Sequence, residues 1–137
     1  MSIEDLKYNE LTSKIIGLAM KVHRTLGNGF QEVIYQRALD IEFKKDRLNF
    51  VREFEMSIFY EGLEIGTRRA DFFVEGKILI ELKALIELED VHLAQIMNYL
   101  EAYNLEVGLL INFGARSLEF HRLLNKKYHP QQSQKSP

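Results

Sequence analysis

A chain of 137 residues with 46% hydrophobic side chains has room for one domain with a real core and too little for two. Its net charge of -2 provides no global positive field to gather nucleic acid, so any polyanion contact must be local or assisted by metal. The lack of cysteine excludes disulfides, a thiolate nucleophile and a zinc-thiolate site, and with no signal-peptide core in MSIEDLKYNE and no apolar run near the ~18 residues of a membrane span, the expected location is the cytoplasm.

Thr12 or Ser13 can cap a first helix, in which Ile15, Ile16, Ala19, Met20, Val22 and Leu26 recur at helical spacing until Gly27 offers a stop. Gly27-Asn28-Gly29 is a hinge, and Val33, Ile34, Ala38, Leu39, Ile41 and Phe43 mark a second amphipathic helix ending near Arg47. From Phe50 the period changes to two. Phe54, Met56, Ile58 and Tyr60 point one way and Glu53, Glu55 and Ser57 the other, which predicts a strand that turns at Glu61-Gly62. A second strand runs from Ile65 to Val74, a turn falls at Glu75-Gly76-Lys77, and ILIELKAL, residues 78–85, is the third strand. Asp90 suits the N-cap of a third helix with Val91, Ala94, Met97, Leu100 and Ala102 as its core stripe. The apolar run from Val107 to Phe113 predicts a strand covered on both faces, and Leu118 to Leu124, ambiguous between helix and strand, is taken as an edge strand. Residues 1–125 then form one domain of mixed α/β class, and the polar residues 126–137 form a disordered tail.

Within ILIELKAL, Glu81 and Lys83 share one strand face while Ile78, Ile80, Leu82 and Ala84 line the other. An unpartnered buried charge costs several kcal/mol, so this pair requires an explanation. Asp71 and Glu81 are equidistant from Gly76, and a three-residue loop over 75–77 would set them directly opposite, with Cβ atoms about 4.5 to 5.5 Å apart. Two carboxylates held that close repel, and one takes up a proton unless a cation sits between them. A hard divalent ion, Mg²⁺ above all, meets that requirement, with Lys83 placed to orient or deprotonate an attacking water or to stabilise developing charge on phosphorus. The string acidic-x-Lys recurs at Asp5-Leu6-Lys7, Glu42-Phe43-Lys44 and Glu75-Gly76-Lys77, so only the strand context distinguishes Glu81-Leu82-Lys83; an ion pair on a solvated sheet face is the competing account.

On the third helix His92, Gln95 and Tyr99 fall on one stripe, where Gln95 and Tyr99 can hydrogen-bond phosphate oxygens or a carboxylate, and where His92 suits a surface or capping role. Glu32 complements the dipole of the second helix and shares a face with Tyr35, with Gly29 permitting a sharp turn into that helix.

Taken in order, Gly29-x-x-Glu32-x-x-Tyr35, Arg69-Ala70-Asp71, Glu81-Leu82-Lys83 and Gln95-x-x-x-Tyr99 resemble the small GxxExxY proteins, a branch of the PD-(D/E)XK nuclease superfamily, over residues 10–125. The resemblance implies a restriction-endonuclease-like αβββαβ core with an extra N-terminal helix. It makes Glu32, Asp71 and Glu81 the metal-binding acids for Mg²⁺ or Mn²⁺ and Lys83 the catalytic lysine. Gln95 and Tyr99 match a signature shared with lambda-exonuclease-type members. Asp71 follows Ala70 rather than proline, and Asn28 stands where relatives often carry proline. The implied reaction is metal-dependent phosphodiester hydrolysis in DNA, ahead of RNA, with Arg69, Arg68 and Lys77 near the nucleic-acid backbone and a homodimer as the expected assembly. Two other readings compete: a non-catalytic module binding nucleic acid or protein, which the mildly acidic balance favours, and structural ion pairs on a dimer face.

Overall fold

Apolar residues at helical spacing form α1 (Asn9–Leu26) and α2 (Glu32–Lys45) in the computed structural model, which describes residues 8–130. Helix α1 begins ahead of the expected cap. The Thr12 hydroxyl donates back to the carbonyls of Tyr8 (3.2 Å) and Asn9 (3.1 Å) instead of accepting from free helix N–H groups, a bond open to threonine inside a helix. At the other end Gly27 adopts φ 80° and its N–H reaches the His23 carbonyl. The conformational freedom expected of Gly29 is used here instead, since Gly29 has no positive φ. In α2 the buried stripe is Tyr35, Leu39 and Phe43, flanked by buried Gln36 and Asp40, whereas Val33 and Ile41, expected in the core, are exposed.

Strands β1 (Phe50–Tyr60), β2 (Leu63–Val74), β3 (Ile78–Lys83), β4 (Val107–Asn112) and β5 (Glu119–Leu124) form one sheet in that order. All neighbours are antiparallel except β3 and β4, which are parallel and are joined through α3 (Asp90–Ala102). Helices α1 and α2 cover one face in a core with Phe72, Val74, Ile78, Ile80, Leu82 and the alternate residues of β4; α3 covers the other with Met56, Ala70 and Leu79. Strands β3 and β4 are therefore buried on both faces, which is why their sequences are nearly continuous apolar runs. The ambiguous C-terminal segment is the edge strand β5. Residues 131–137 of the tail lie outside the described range. Ahead of them His129 donates its N–H to Asn104, and Lys127 pairs with Glu101.

Helix α3 departs from its reading in two ways. Asp90 is its first residue rather than its cap; Glu89 takes the cap position, and the Glu89 N–H donates to His92 Nδ1 at 2.9 Å. The buried pair is Ile96 and Leu100, while Val91 and Ala94 are exposed, a rotation that turns His92, Gln95 and Tyr99 toward the end of β3.

The β2–β3 register is that of the three-residue loop: Val74 faces Ile78, Phe73 faces Leu79 and Phe72 faces Ile80. Glu75 and Gly76 both take positive φ, closed by the Lys77 N–H on the Val74 carbonyl. Beyond Phe72 the strands separate. Alternation also breaks there, since Phe72 packs toward α1 and α2 while Ala70, two residues earlier, packs toward α3. Across the hairpin Glu53 drops out of the ladder between Arg52↔Phe72 and Phe54↔Ala70 and adopts φ 56°. The hairpin thus changes face at Glu53 and Asp71 with its register unchanged.

A clamp fixes the far end of β3. Buried Asn112 accepts from the Leu85 N–H and donates to the Leu85 carbonyl, and the Phe113 N–H donates to the Lys83 carbonyl. Gly114 has no side chain because a Cβ there would collide with the backbone of Ala84 and Leu85.

Candidate active site

The break in alternation at Asp71 builds the site. Where β2 leaves β3, the Asp71 carboxylate replaces the lost ladder: Oδ2 accepts the Leu82 N–H at 2.7 Å and Oδ1 accepts from Gln36 Nε2 at 2.7 Å. Gln36 is held in turn by Arg52, whose Nε donates to Oε1 at 2.9 Å and whose Nη1 reaches Asp40 Oδ2 at 3.4 Å. This chain keeps two buried polar residues of α2 satisfied and engages both oxygens of Asp71 together with the Leu82 N–H.

Glu81 is 4% exposed and lies on the α3 side of β3. Burial pushes its carboxyl up to about 8, with Asp71 adding repulsion and a hydrogen bond that favours the protonated form, against the lowering effect of Arg68 and Lys83. Glu81 is not paired with Asp71 in the ladder, which ends at Phe72↔Ile80, but its carboxyl still lies within reach of the Asp71 charge. Its cationic partner is Arg68, with Nη2 3.2 Å from Glu81 Oε2, Nε donating to the Tyr99 hydroxyl at 2.7 Å, and the guanidinium over the Tyr99 ring at 5.1 Å. Arg68, Glu81, Lys83, His92, Gln95, Ile96, Tyr99 and Leu110 enclose a cleft that leaves no room for a water molecule.

Glu32, the first residue of α2, is exposed at the open side. Partial burial against neighbouring atoms raises its carboxyl, Asp71 raises it further, and Lys83 and Arg68 oppose. Asp71 is thus the shared neighbour of both other acids. Its two oxygens and the Glu81 carboxylate are engaged by protein partners. Among the described residues no three histidine, cysteine, aspartate or glutamate groups are gathered as they would be around a bound ion. The hard oxygen donors suit Mg²⁺ or Mn²⁺, and the mutual repulsion of Asp71 with both other acids is the charge such an ion relieves.

The remaining expected residues divide. Gln95 lines the cleft wall, with an exposed side chain, and Tyr99 holds Arg68. His92 serves the helix cap. Arg69 points away from the cleft, exposed, with Nη2 3.8 Å from Glu55, because the face change puts Arg68 and Ala70 on the α3 side. Lys77 lies at the opposite end of β3 from Lys83, over the Tyr8 ring. Tyr35 works from beneath: its hydroxyl donates to the Gly27 carbonyl (2.7 Å), accepts the Phe30 N–H (3.1 Å), and its ring stacks on Phe113. That fixes the loop from which Glu32 emerges.

A family model described as the PD-(D/E)XK nuclease superfamily matches residues 9–123. The chain belongs to that superfamily. A search of curated proteins finds no match. Among solved structures, the crystal structure of SSO0001 is similar at 22% identity with a TM-score of 0.54, over 66% of this chain and 48% of that one. This chain therefore spans about half the length of that protein, and the likeness is one of fold. The mixed five-stranded sheet between α1/α2 and α3 is restriction-endonuclease-like, as the element order implied. For this PD-(D/E)XK chain, sequence reasoning missed Gln36, Arg52 and Asp40. Their signal was present: Glu32, Gln36 and Asp40 recur every four residues at the border of the apolar stripe Tyr35, Leu39 and Phe43, where Gln36 and Asp40 are buried.

Proposed function

We propose that this superfamily member, of the GxxExxY branch, is a Mg²⁺- or Mn²⁺-dependent cytoplasmic nuclease that hydrolyses phosphodiester bonds in DNA. The observation that carries the reading is the shared electrostatic neighbourhood of Glu32, Asp71, Glu81 and Lys83, drawn from a helix start and two strands that separate at Asp71. Glu32, Asp71 and Glu81 would hold the ion, which when bound supplies Lewis-acid activation of the phosphate and of water. Lys83 orients the attacking water and offers positive charge to the developing oxyanion, its strand end held by the Asn112 and Phe113 bonds. Gln95 and Tyr99 face the substrate from α3, with Arg69 on the outer face of the hairpin. Purified protein incubated with linear duplex and single-stranded DNA and Mg²⁺ or Mn²⁺ should release cleaved products, and Lys83→Ala should slow release at least ~10²-fold. No cleavage of any DNA or RNA with either ion ends this reading.

A second reading, a binding module without catalysis, is favoured by the same site's closure: Arg68 pairs with Glu81, and both Asp71 oxygens are engaged. The catalytic assay decides between the two.

The homodimer has its own support. Phe59, Tyr60, Leu63 and Ile65 at the hairpin tip are 63 to 71% exposed, an apolar cluster of the kind monomers rarely present. Sedimentation equilibrium should give a dimer that Phe59→Ser with Leu63→Ser converts to monomer; a monomeric wild type at micromolar concentration refutes it.

A further inference from the structure

The cleft at the end of β3 is filled by a residue that no family motif assigns. Arg68 spends its hydrogen-bonding capacity inward. Nε goes to the Tyr99 hydroxyl (2.7 Å), Nη2 to Glu81 (3.2 Å), Nη1 to the Arg69 carbonyl (2.8 Å), and the guanidinium plane rests over the Tyr99 ring. A half-buried arginine fixed on three sides is not a surface cation awaiting a phosphate. It stands against the carboxylate that the proposed nuclease reading gives to a divalent ion, in a space with no room for a water molecule.

Charge balance indicates what must follow. With all groups ionised, Glu32, Asp71 and Glu81 against Arg68 and Lys83 leave the cluster one negative charge from neutral. A dication would leave it one positive charge over, and withdrawal of Arg68 restores neutrality. Arg68, 3.2 Å from Oε2, and a dication at Glu81 would also compete for the same carboxylate.

We propose that Arg68, latched by Tyr99, is a built-in counter-ion that closes the metal site of the ion-free protein and is displaced from Glu81 when a divalent ion binds. Arg68 is a positioning residue in this scheme: it sets the affinity and the order of assembly. Tyr99, expected to face substrate, is the latch that keeps the guanidinium in place. The inference rests on the nuclease reading, since it presupposes that Glu81 receives an ion.

The test is Mn²⁺ binding to the intact protein, measured by titration calorimetry and by the fraction of free Mn²⁺ in electron paramagnetic resonance, with circular dichroism to confirm folding. Arg68→Ala should bind Mn²⁺ about tenfold more tightly than wild type, because a competing cation has gone. Tyr99→Phe keeps the ring and removes only the hydroxyl acceptor, so it should tighten binding about threefold and serves if Arg68→Ala does not fold. Arg68→Lys, which retains charge without the fork that reaches Tyr99 and Glu81 together, should fall between wild type and Arg68→Ala. A purely structural role for Arg68 predicts the opposite, weaker binding as the site loosens. Folded Arg68→Ala or Tyr99→Phe protein that binds Mn²⁺ no more tightly than wild type overturns the counter-ion proposal and leaves the nuclease reading standing. Absence of Mn²⁺ binding in wild type and in all three variants overturns both.

Discussion

Asp71→Asn is expected to reduce DNA cleavage by at least ~10³-fold, the largest single-residue loss in the chain. Two effects combine. Replacing the carboxylate removes the anionic oxygen shared between the Glu32 and Glu81 sides of the site. It also disturbs the chain beneath. Asp71 accepts one hydrogen bond on each oxygen, from Gln36 Nε2 and from the Leu82 N–H, whereas asparagine offers one acceptor oxygen and a donor amide. If the asparagine oxygen keeps Leu82, its amide faces the Gln36 amide. Gln36 can reverse only by giving up the 2.9 Å bond from Arg52. One buried donor is left unmatched in either orientation, at a cost of about 1–3 kcal/mol, partly offset by the relief of repulsion on Glu81. Denaturant unfolding and single-turnover cleavage separate the two effects. Gln36→Leu should reproduce part of the stability loss while keeping the Asp71 charge and most of the activity. An Asp71→Asn protein that cleaves within about tenfold of wild type removes Asp71 from the reacting centre.

The order of elements was legible, and so was the charged neighbourhood of Glu32, Asp71, Glu81 and Lys83, because each depends on a local signal. ILIELKAL combines an apolar run with a charged pair, Gly76 makes the hairpin symmetric about itself, and the observed register sets Phe72 against Ile80 as that symmetry requires. Arg68 was not legible. A regular strand puts Arg69, not Arg68, on the face of Asp71, and this held until the backbone changed face at Glu53 and Asp71. Glu53 at φ 56° has no sequence signature, since positive φ in a non-glycine residue reflects surrounding packing. The exposed positions of Val33, Ile41 and Val91 share a cause: periodicity finds an apolar stripe but not its rotation, and that was set by buried polar chains at Gln36 and by the cleft at Tyr99.

The stability of the ion-free protein should fall as pH rises from about 4.5 to about 8, with Glu81 as the principal cause. Its folded carboxyl is raised from 4.5 to about 8, chiefly by burial, so within that window the unfolded chain has released the proton and the folded chain retains it. Unfolding then releases protons, and higher pH favours it. Below the window both states are protonated; above it both are ionised and the loss is complete. The whole effect is of the order of several kcal/mol, a large share of a small domain's stability. Glu32, raised in the same direction, adds to the slope. Glu81→Gln keeps an oxygen for Arg68 Nη2 and cannot ionise, so it should be more stable than wild type at about pH 8 and nearly equal to it at about pH 5. Urea unfolding in the presence of a chelator, run on both proteins across that range, measures the difference directly. Millimolar Mn²⁺ should reverse the trend for wild type only, because a cation at Glu81 favours the ionised form. Parallel pH profiles for the two proteins would mean that Glu81 is ionised in the folded chain without an ion, and that Arg68 alone is enough to hold it so.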